Sequence, residues 1–439
     1  MNKTKTARLY PENTKVQFFF LFLLWVFYSF KPEWTIPGFK FIAPVQTLIH
    51  LILLVYWVLY SKKQTDNQLT KYFFLFVILM IISSSLARNT GLPREIIISF
   101  LLLLIIYLVT ITYANNGKRT FSLFSVFLLG NLFIAILGIK GGGSARGVAI
   151  FEDQNDLALA MNIIFPITIF LGIGEKEKIK KLFYFAISGI FLTTIVLSNS
   201  RGGFVGLIAV MLYIWFKLPI NKVKSTIIVL FIVVGLMLLA PKSFWSEMST
   251  IQQGTQGGTA SARIYYWKIA IREFVDHPII GVGVRNYGAW LPDYVKPDDT
   301  LNDGRPIPGI TRTWGRVSHS LYFTLLAELG VIGLILFILI LFNFYKEVRP
   351  ITQLQLPKYY IQNNISTDEY LLIQKLEKCR SLGLGLIGGM IGFLVSGAFL
   401  SVLYYPQFWI LCTLGVTLGN YSRKTIKDVT KHSGEYSNE

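Results

Sequence analysis

Four short polar stretches interrupt an otherwise apolar chain, and their residue types suit proton transfer and the binding of an anion. Ser318-His319-Ser320 opens a long apolar run. A histidine there can take a proton from a hydroxyl near neutral pH. Ser198-Asn-Ser-Arg201-Gly-Gly203 is a short turn between two apolar runs. It holds Arg201 at an interface, and its glycines let a ligand approach the backbone; snorkelling to lipid headgroups is the plain alternative. Ser261-Ala-Arg263-Ile-Tyr-Tyr-Trp267 starts an amphipathic pattern. A cation in the first turn of such a helix opposes the helix dipole unless an anion joins it, and a diphosphate would satisfy the guanidinium and the free N–H groups together. Surface solvation of Arg263 is the ordinary alternative. Gly147 to Ala158 supplies carboxylates and Asn155, which either meets sugar hydroxyls or caps the following helix. Arg312 and Arg316, just before His319, are second-rank candidates for contacting substrate.

Glu328 is the one charged residue inside an apolar span. A carboxyl there is costly in lipid and is expected to be paired or functional. Nine residues separate it from His319, half a turn out of phase on a straight helix, so it orients His319 only if the helix breaks, which Gly330 permits. A buried structural or electrostatic role is the expectation. His50 reads as a packed residue of an apolar face, and His277 and His432 read as solvated. Cys379 and Cys412 are badly placed to meet, and no disulfide or metal framework is indicated.

The elements that must position these residues are transmembrane helices. The chain has 439 residues, of which 53% are hydrophobic and 15% charged. Apolar runs recur at 16–30, 41–60, 72–86, 96–114, 121–139, 157–174, 182–198, 203–216, 226–240, 320–345, 382–402 and 404–419. Each is long enough, or nearly so, to cross a hydrocarbon core about 30 Å thick. The expected fold is an all-α polytopic membrane protein of about twelve transmembrane helices. Nine of them fall within 1–240. A large periplasmic insertion, 241–317, follows, then a tenth helix at 318–345, a cytoplasmic loop at 346–381, two more helices within 382–419, and a cytoplasmic tail at 420–439. Within the insertion, Ile264, Trp267, Ile271 and Phe274 predict an amphipathic helix over 262–277, with Thr259 or Ser261 as N-cap. Gln252–Ser261 is expected to be a flexible loop, and 292–315 a loop laid over the membrane surface. A short helix is expected at 368–380. Lys3, Lys5, Arg8 and Lys15 precede the first span like a signal n-region, but no small-residue cleavage site follows, so an uncleaved anchor is expected.

The net charge of +18 does not point to nucleic acid, because the charges sort by side. With an inside N-terminus, the cytoplasmic connections hold 26 Lys and Arg and the outer ones 16, nine of those in the long insertion. Short loops therefore divide 26 to 7. The inner set has 21 Lys and 5 Arg; the outer set has 6 Lys and 10 Arg. Topology needs only positive charge, whereas arginine adds a planar fork that pairs bidentately with phosphate. The outer bias points to a phosphorylated ligand bound on that side.

In this order, the Phe151–Ala158 segment, the Ser-Arg-Gly-Gly turn at 200–203, Ser261–Trp267 leading to Pro278 and Gly281-Val-Gly283, and His319 with Glu328-Leu-Gly330 resemble the O-antigen ligase and polymerase superfamily. The resemblance runs from about 147 to 333. It implies a metal-independent, cofactor-free glycosyl transfer on the periplasmic face of the bacterial inner membrane. The donor would be a polyprenyl-diphosphate-linked glycan. The acceptor would be a lipid A-core sugar in a ligase, a growing chain in a polymerase, or a protein hydroxyl. His319 would activate the acceptor, Arg201 and Arg263 would bind the diphosphate, and inversion would follow from one in-line displacement. The residues around His319 look closest to ligase-like members. A polysaccharide transporter or flippase is the rival class. Such proteins often carry two similar halves and polar mid-membrane residues, and neither is evident here. The charge asymmetry makes a direct prediction: an impermeant thiol reagent on intact cells should label Ser246→Cys and spare Ser366→Cys. The reverse pattern overturns the topology.

Overall fold

The computed structural model describes residues 14–36, 38–61, 63, 67–218, 221–227, 230, 240–249, 258–301, 304–305, 315–354 and 367–435. Among these the architecture is helical, with no β-strand. Successive helices are α1 (Lys15–Phe30), α2 (Pro32–Thr35), α3 (Ile42–Tyr60), α4 (Gln68–Ser83), α5 (Gly91–Tyr113), α6 (Gly117–Lys140), α7 (Gln154–Gly174), α8 (Lys178–Leu197) and α9 (Arg201–Lys217). The insertion contributes α10 (Lys242–Ser249), α11 (Gly258–Asp276) and α12 (Tyr287–Tyr294), and the chain continues through α13 (Leu321–Thr352), α14 (Thr367–Gly397) and α15 (Pro406–Glu435).

Among the described residues, eight helices are long and apolar enough to cross a membrane, against the twelve expected. The remainder have physical reasons. α1 has 16 residues and α9 has 17, so each spans only about 24–26 Å. α15 is long, but its apolar part gives way to a polar tail after Gly419. The expected span at 226–240 lies mostly outside the described residues. The short helix expected at 368–380 forms the opening turns of α14 rather than a separate element.

Burial sorts the helices. Most of α7 is buried, whereas most of the segment containing α3 is not, so α7 is central and α3 peripheral. In lipid, apolar surface alone does not drive helices together, and small residues and buried hydrogen bonds must do so. α14 lies along α7 through glycines. A Cβ at Gly389 would stand 2.5 Å from the Ile163 carbonyl oxygen, and one at Gly392 would stand 2.6 Å from that of Asn162. Polar ties join other pairs: the Trp25 indole donates to Thr110 at 3.0 Å and the Trp57 indole to Thr112 at 2.9 Å. Trp409 of α15 stacks on Phe73 of α4 at 4.2 Å. His50 is buried against the Gln46 carbonyl at 2.6 Å, the packed role expected for it.

α13 breaks at Gly330, where φ is 62° and ψ −161°. Into the break docks the segment after α11. Val282 N donates to the Ala327 carbonyl at 2.8 Å, and Val331 N donates to the Pro278 carbonyl at 2.8 Å. The break thus exchanges intrahelical bonds for bonds to the insertion. Only glycine adopts this backbone readily, and a Cβ at 330 would fall 2.5 Å from the Ile279 carbonyl. Gly330→Ala should therefore cost about 3 kcal/mol or more, read as a lowered midpoint of thermal unfolding in detergent. An unchanged midpoint would show that α13 can run straight.

Candidate functional site

The site is assembled from helix beginnings. Two Ser-X-Ser turns have the same local structure. In Ser198-Asn199-Ser200 and Ser318-His319-Ser320 the middle residue is left-handed, with φ 53° in both. In both, the first serine hydroxyl accepts the third serine's N–H, at 3.2 and 3.3 Å. Asn and His tolerate this backbone better than most side chains. The third serine then sits at the N-cap: Ser200 Oγ accepts Gly203 N–H at 3.0 Å to start α9, and Ser320 precedes α13. His319 accordingly stands before its helix, which begins at Leu321, and not inside the 318–345 helix expected from the sequence. Its backbone turns away from the helical path, so the phase relation to Glu328 has no continuous helix to run along.

Arg201 is the first residue of α9, and its Nε lies 3.3 Å from Glu247 of α10. Arg263 is half-buried on α11. Because α11 begins at Gly258, Arg263 stands in its second turn, not its first, and Thr259 and Ser261 lie inside the helix rather than at its N-cap. The buried face also differs from the expected one. Tyr265, Tyr266, Ile269 and Ala270 are buried, whereas Ile271 is 47% exposed. The bulky tyrosines and the contacts α11 makes with α13 rotate the helix, and Trp267 stacks on Phe323 of α13 at 5.0 Å.

These groups share one charge neighbourhood. Burial lowers the Arg263 pKa, and nearby Arg201 lowers it further, against the opposing pull of Asp153 and Glu247. Burial likewise holds His319 below the ordinary imidazole range; Arg263 and Arg316 push the same way and Asp153 opposes. His319 is therefore neutral near pH 7 and able to accept a proton. Arg316 is brought to the site, whereas Arg312 lies outside the described residues.

Asn155 does not cap α7. Asp153 does, accepting Asn155 N–H at 2.7 Å, while the Asn155 side-chain amide oxygen accepts the Ser200 hydroxyl at 2.6 Å. Asn155 thus couples the start of α7 to the turn that carries Arg201. Asp153, the anion facing both His319 and Arg263, was not singled out by the sequence; its Asp-x-Asn spacing before an apolar run was the available signal.

Glu328 is buried and accepts Arg285 N–H at 2.6 Å, Tyr287 N–H at 3.2 Å and the Tyr404 hydroxyl at 2.6 Å. It organises the start of α12 and the loop before α15. The loop after α12 is held as well: Arg272 grips Asp299 bidentately at 2.6 and 2.8 Å, which drops the Asp299 carboxyl to about 2.

Residues 186–338 match the O-antigen ligase family (Wzy_C), a segment that contains Arg201, Arg263, His319 and Glu328 but not Asn155. An uncharacterised protein of Haemophilus influenzae (strain ATCC 51907 / DSM 11121 / KW20 / Rd) is 24% identical over 359 residues, covering 74% of this chain and 80% of that protein. The superfamily resemblance read from the motifs is borne out over the matched segment. Over that segment the chain is similar to O-antigen ligases, and the eight long apolar helices among the described residues suit a multi-pass membrane protein.

A second acid shares this region. Glu273 of α11 is fully buried, and its carboxyl has no hydrogen-bond partner among the described residues. Burial, and then the nearby Glu328, raise it from 4.5 to about 10. The folded protein thus retains a proton that the unfolded chain releases above pH 4.5, so stability should fall as pH rises between those values, by up to about 1.4 kcal/mol per pH unit. Glu273→Gln should raise the unfolding midpoint at pH 8 by several degrees, and its advantage should vanish toward pH 4.5. A pH-independent difference would remove protonation as the cause.

Proposed function

We propose that the protein transfers a glycan from a polyprenyl-diphosphate carrier to an acceptor hydroxyl, a lipid A-core sugar in the first instance, on the periplasmic face of the inner membrane. About twelve crossings, with both termini cytoplasmic and 241–317 outside, complete this reading. The observation that carries it is that Arg263 and Arg316 lie near a partly buried His319, with Arg201 near Arg263 in turn. Like charges collected in a desolvated place are stabilised by an anion, and a diphosphate supplies the charge and acceptor oxygens that arginines match.

In the reaction, the acceptor oxygen bonds to the anomeric carbon as the carbon–oxygen bond to the diphosphate breaks. His319 takes the acceptor proton. The polyprenyl diphosphate leaves with the bonding electrons, and Arg201 and Arg263 stabilise its developing charge. One in-line displacement inverts the anomeric centre. Asn155 and Arg316 border this space as substrate contacts, Arg312 is proposed with them from its sequence position, and Glu328 supports the frame. Until substrate binds, Glu247 partly neutralises Arg201.

Two experiments test the assignment. His319→Asn keeps a residue suited to the left-handed turn but removes the base, so transfer by purified protein should fall about 10²–10⁴-fold with donor binding retained. The wild-type rate should fall only below the ordinary imidazole range, since the folded pKa is lowered, and the variant should lack that acid limb. Near-normal turnover of His319→Asn or His319→Gln would reduce His319 to a binding residue. Separately, Arg201→Lys/Arg263→Lys keeps charge but loses the fork, and should lose most donor affinity and transfer. Retention of both would remove the diphosphate clamp. Offering lipid A-core, growing glycan and protein acceptors in the same assay distinguishes ligase, polymerase and protein-glycosylating activities.

A further inference from the structure

At the far end of the bundle from His319, the first turns of α6 and α8, the end of α7, the first half of α14 and Tyr421 of α15 enclose a cavity of about 750 Å³. α7 joins the two ends, running from the Asp153 cap beside His319 to Gly174 at the cavity. Its 21 residues span about 32 Å, so a diphosphate bound at His319 does not reach this place.

Lys118, Lys176, Lys180, Lys375 and Lys378 line the cavity, against Glu175, Glu177 and Glu377. Two lysines are neutralised in place: Lys176 meets Glu377 at 3.1 Å and Lys180 meets Glu177 at 2.5 Å. Glu175 is occupied with the Lys176 and Glu177 backbone N–H groups, at 2.9 and 3.1 Å. Lys118, Lys375 and Lys378 make no salt bridge among the described residues; Lys118 and Lys375 are exposed, and Glu175 offsets Lys378 only at longer range. Lys378 is partly buried, and its ammonium rests 4.6 Å from the Phe121 ring centroid. Removing an ammonium from water without an anion is costly. The start of α6 adds to the surplus, whereas Glu177 stands at the N-cap of α8. Neither α6 nor α8 has an acidic residue in its first turn, and Lys118 and Lys180 stand there instead, where the dipole disfavours cations and favours anions. The general excess of lysine in cytoplasmic loops accounts for positive charge on this side of the membrane. It does not account for a concave site, nor for an unpaired lysine drawn down onto an aromatic ring.

We propose that this cavity binds a phosphate-bearing anion, supplied either as the headgroup of an anionic membrane phospholipid or as inorganic phosphate. Lys118, Lys375 and Lys378 hold the phosphate oxygens, and the Gly117 and Lys118 N–H groups at the start of α6 face it, Arg119 N–H being capped by Asn116.

The test uses the full-length protein, delipidated in a neutral detergent. Thermal unfolding and native mass spectrometry are recorded with phosphatidylglycerol, with phosphatidylcholine, and with inorganic phosphate against chloride at equal ionic strength. A lipid site is expected to retain phosphatidylglycerol over phosphatidylcholine and to raise the unfolding midpoint by several degrees. A response to inorganic phosphate alone assigns the source as free phosphate. In either case Lys118→Gln/Lys375→Gln/Lys378→Gln should weaken binding by about tenfold or more. Should Lys378→Gln impair folding, Lys118→Gln/Lys375→Gln should still lose about threefold. A wild-type protein indifferent to all three ligands, or variants that bind as wild type does, overturns the proposal. Glycan transfer is not the readout, so the outcome is separate from that of the His319 assignment.

Discussion

The arrangement of the site depends on one buried carboxyl. Glu328 lies in the apolar helix α13 yet accepts two backbone N–H groups and a tyrosine hydroxyl from elsewhere in the chain. Within a membrane such an acid is tolerated only when its oxygens are satisfied, and here the partners come from the insertion and from the loop before α15. That requirement joins three segments that the sequence keeps far apart. Its own carbonyl extends the junction, accepting the Ser83 hydroxyl at 2.7 Å and Gly283 N–H at 3.2 Å.

The break at Gly330 is the counterpart of that junction. A straight α13 would satisfy its own backbone and leave Pro278–Gly283 without a place to pair. Opening the helix by one glycine lets that segment add its own N–H and carbonyl groups, and non-helical backbone buried in protein is tolerated at membrane depth. α11, which carries Arg263, ends immediately before the docked segment, so the break in α13 sets where Arg263 stands relative to His319.

Around this frame the charges are balanced between strain and readiness. Burial and a cationic neighbour disfavour the protonated forms of Arg263 and of His319, with Asp153 opposing at both and Glu247 at Arg263. Asp153 also caps α7, so the same carboxylate that starts the central helix tempers the site. The neutral state of His319 follows from burial and cationic neighbours, which outweigh the opposing pull of Asp153.

Much of this was legible in the chain itself. Apolar runs dictate helices, because each must satisfy its backbone internally in lipid, and eleven of the twelve runs coincide with described helices. The candidates Arg201, Arg263, Arg316 and His319 were legible because arginine and histidine are rare among apolar spans and have few reasons to cluster at their ends. The tertiary structure alone decided the rest. The face α11 buries depends on the residues it meets on α13, so helical spacing misplaced it by nearly half a turn. The left-handed backbone of His319 depends on a serine hydroxyl shared across the turn, and the cap of α7 passed to Asp153 because Asn155 bonds Ser200, 45 positions away. Glu328 could be recognised as exceptional from its surroundings in sequence, but its partners could not, since they are contributed by segments that only the fold brings within hydrogen-bonding distance.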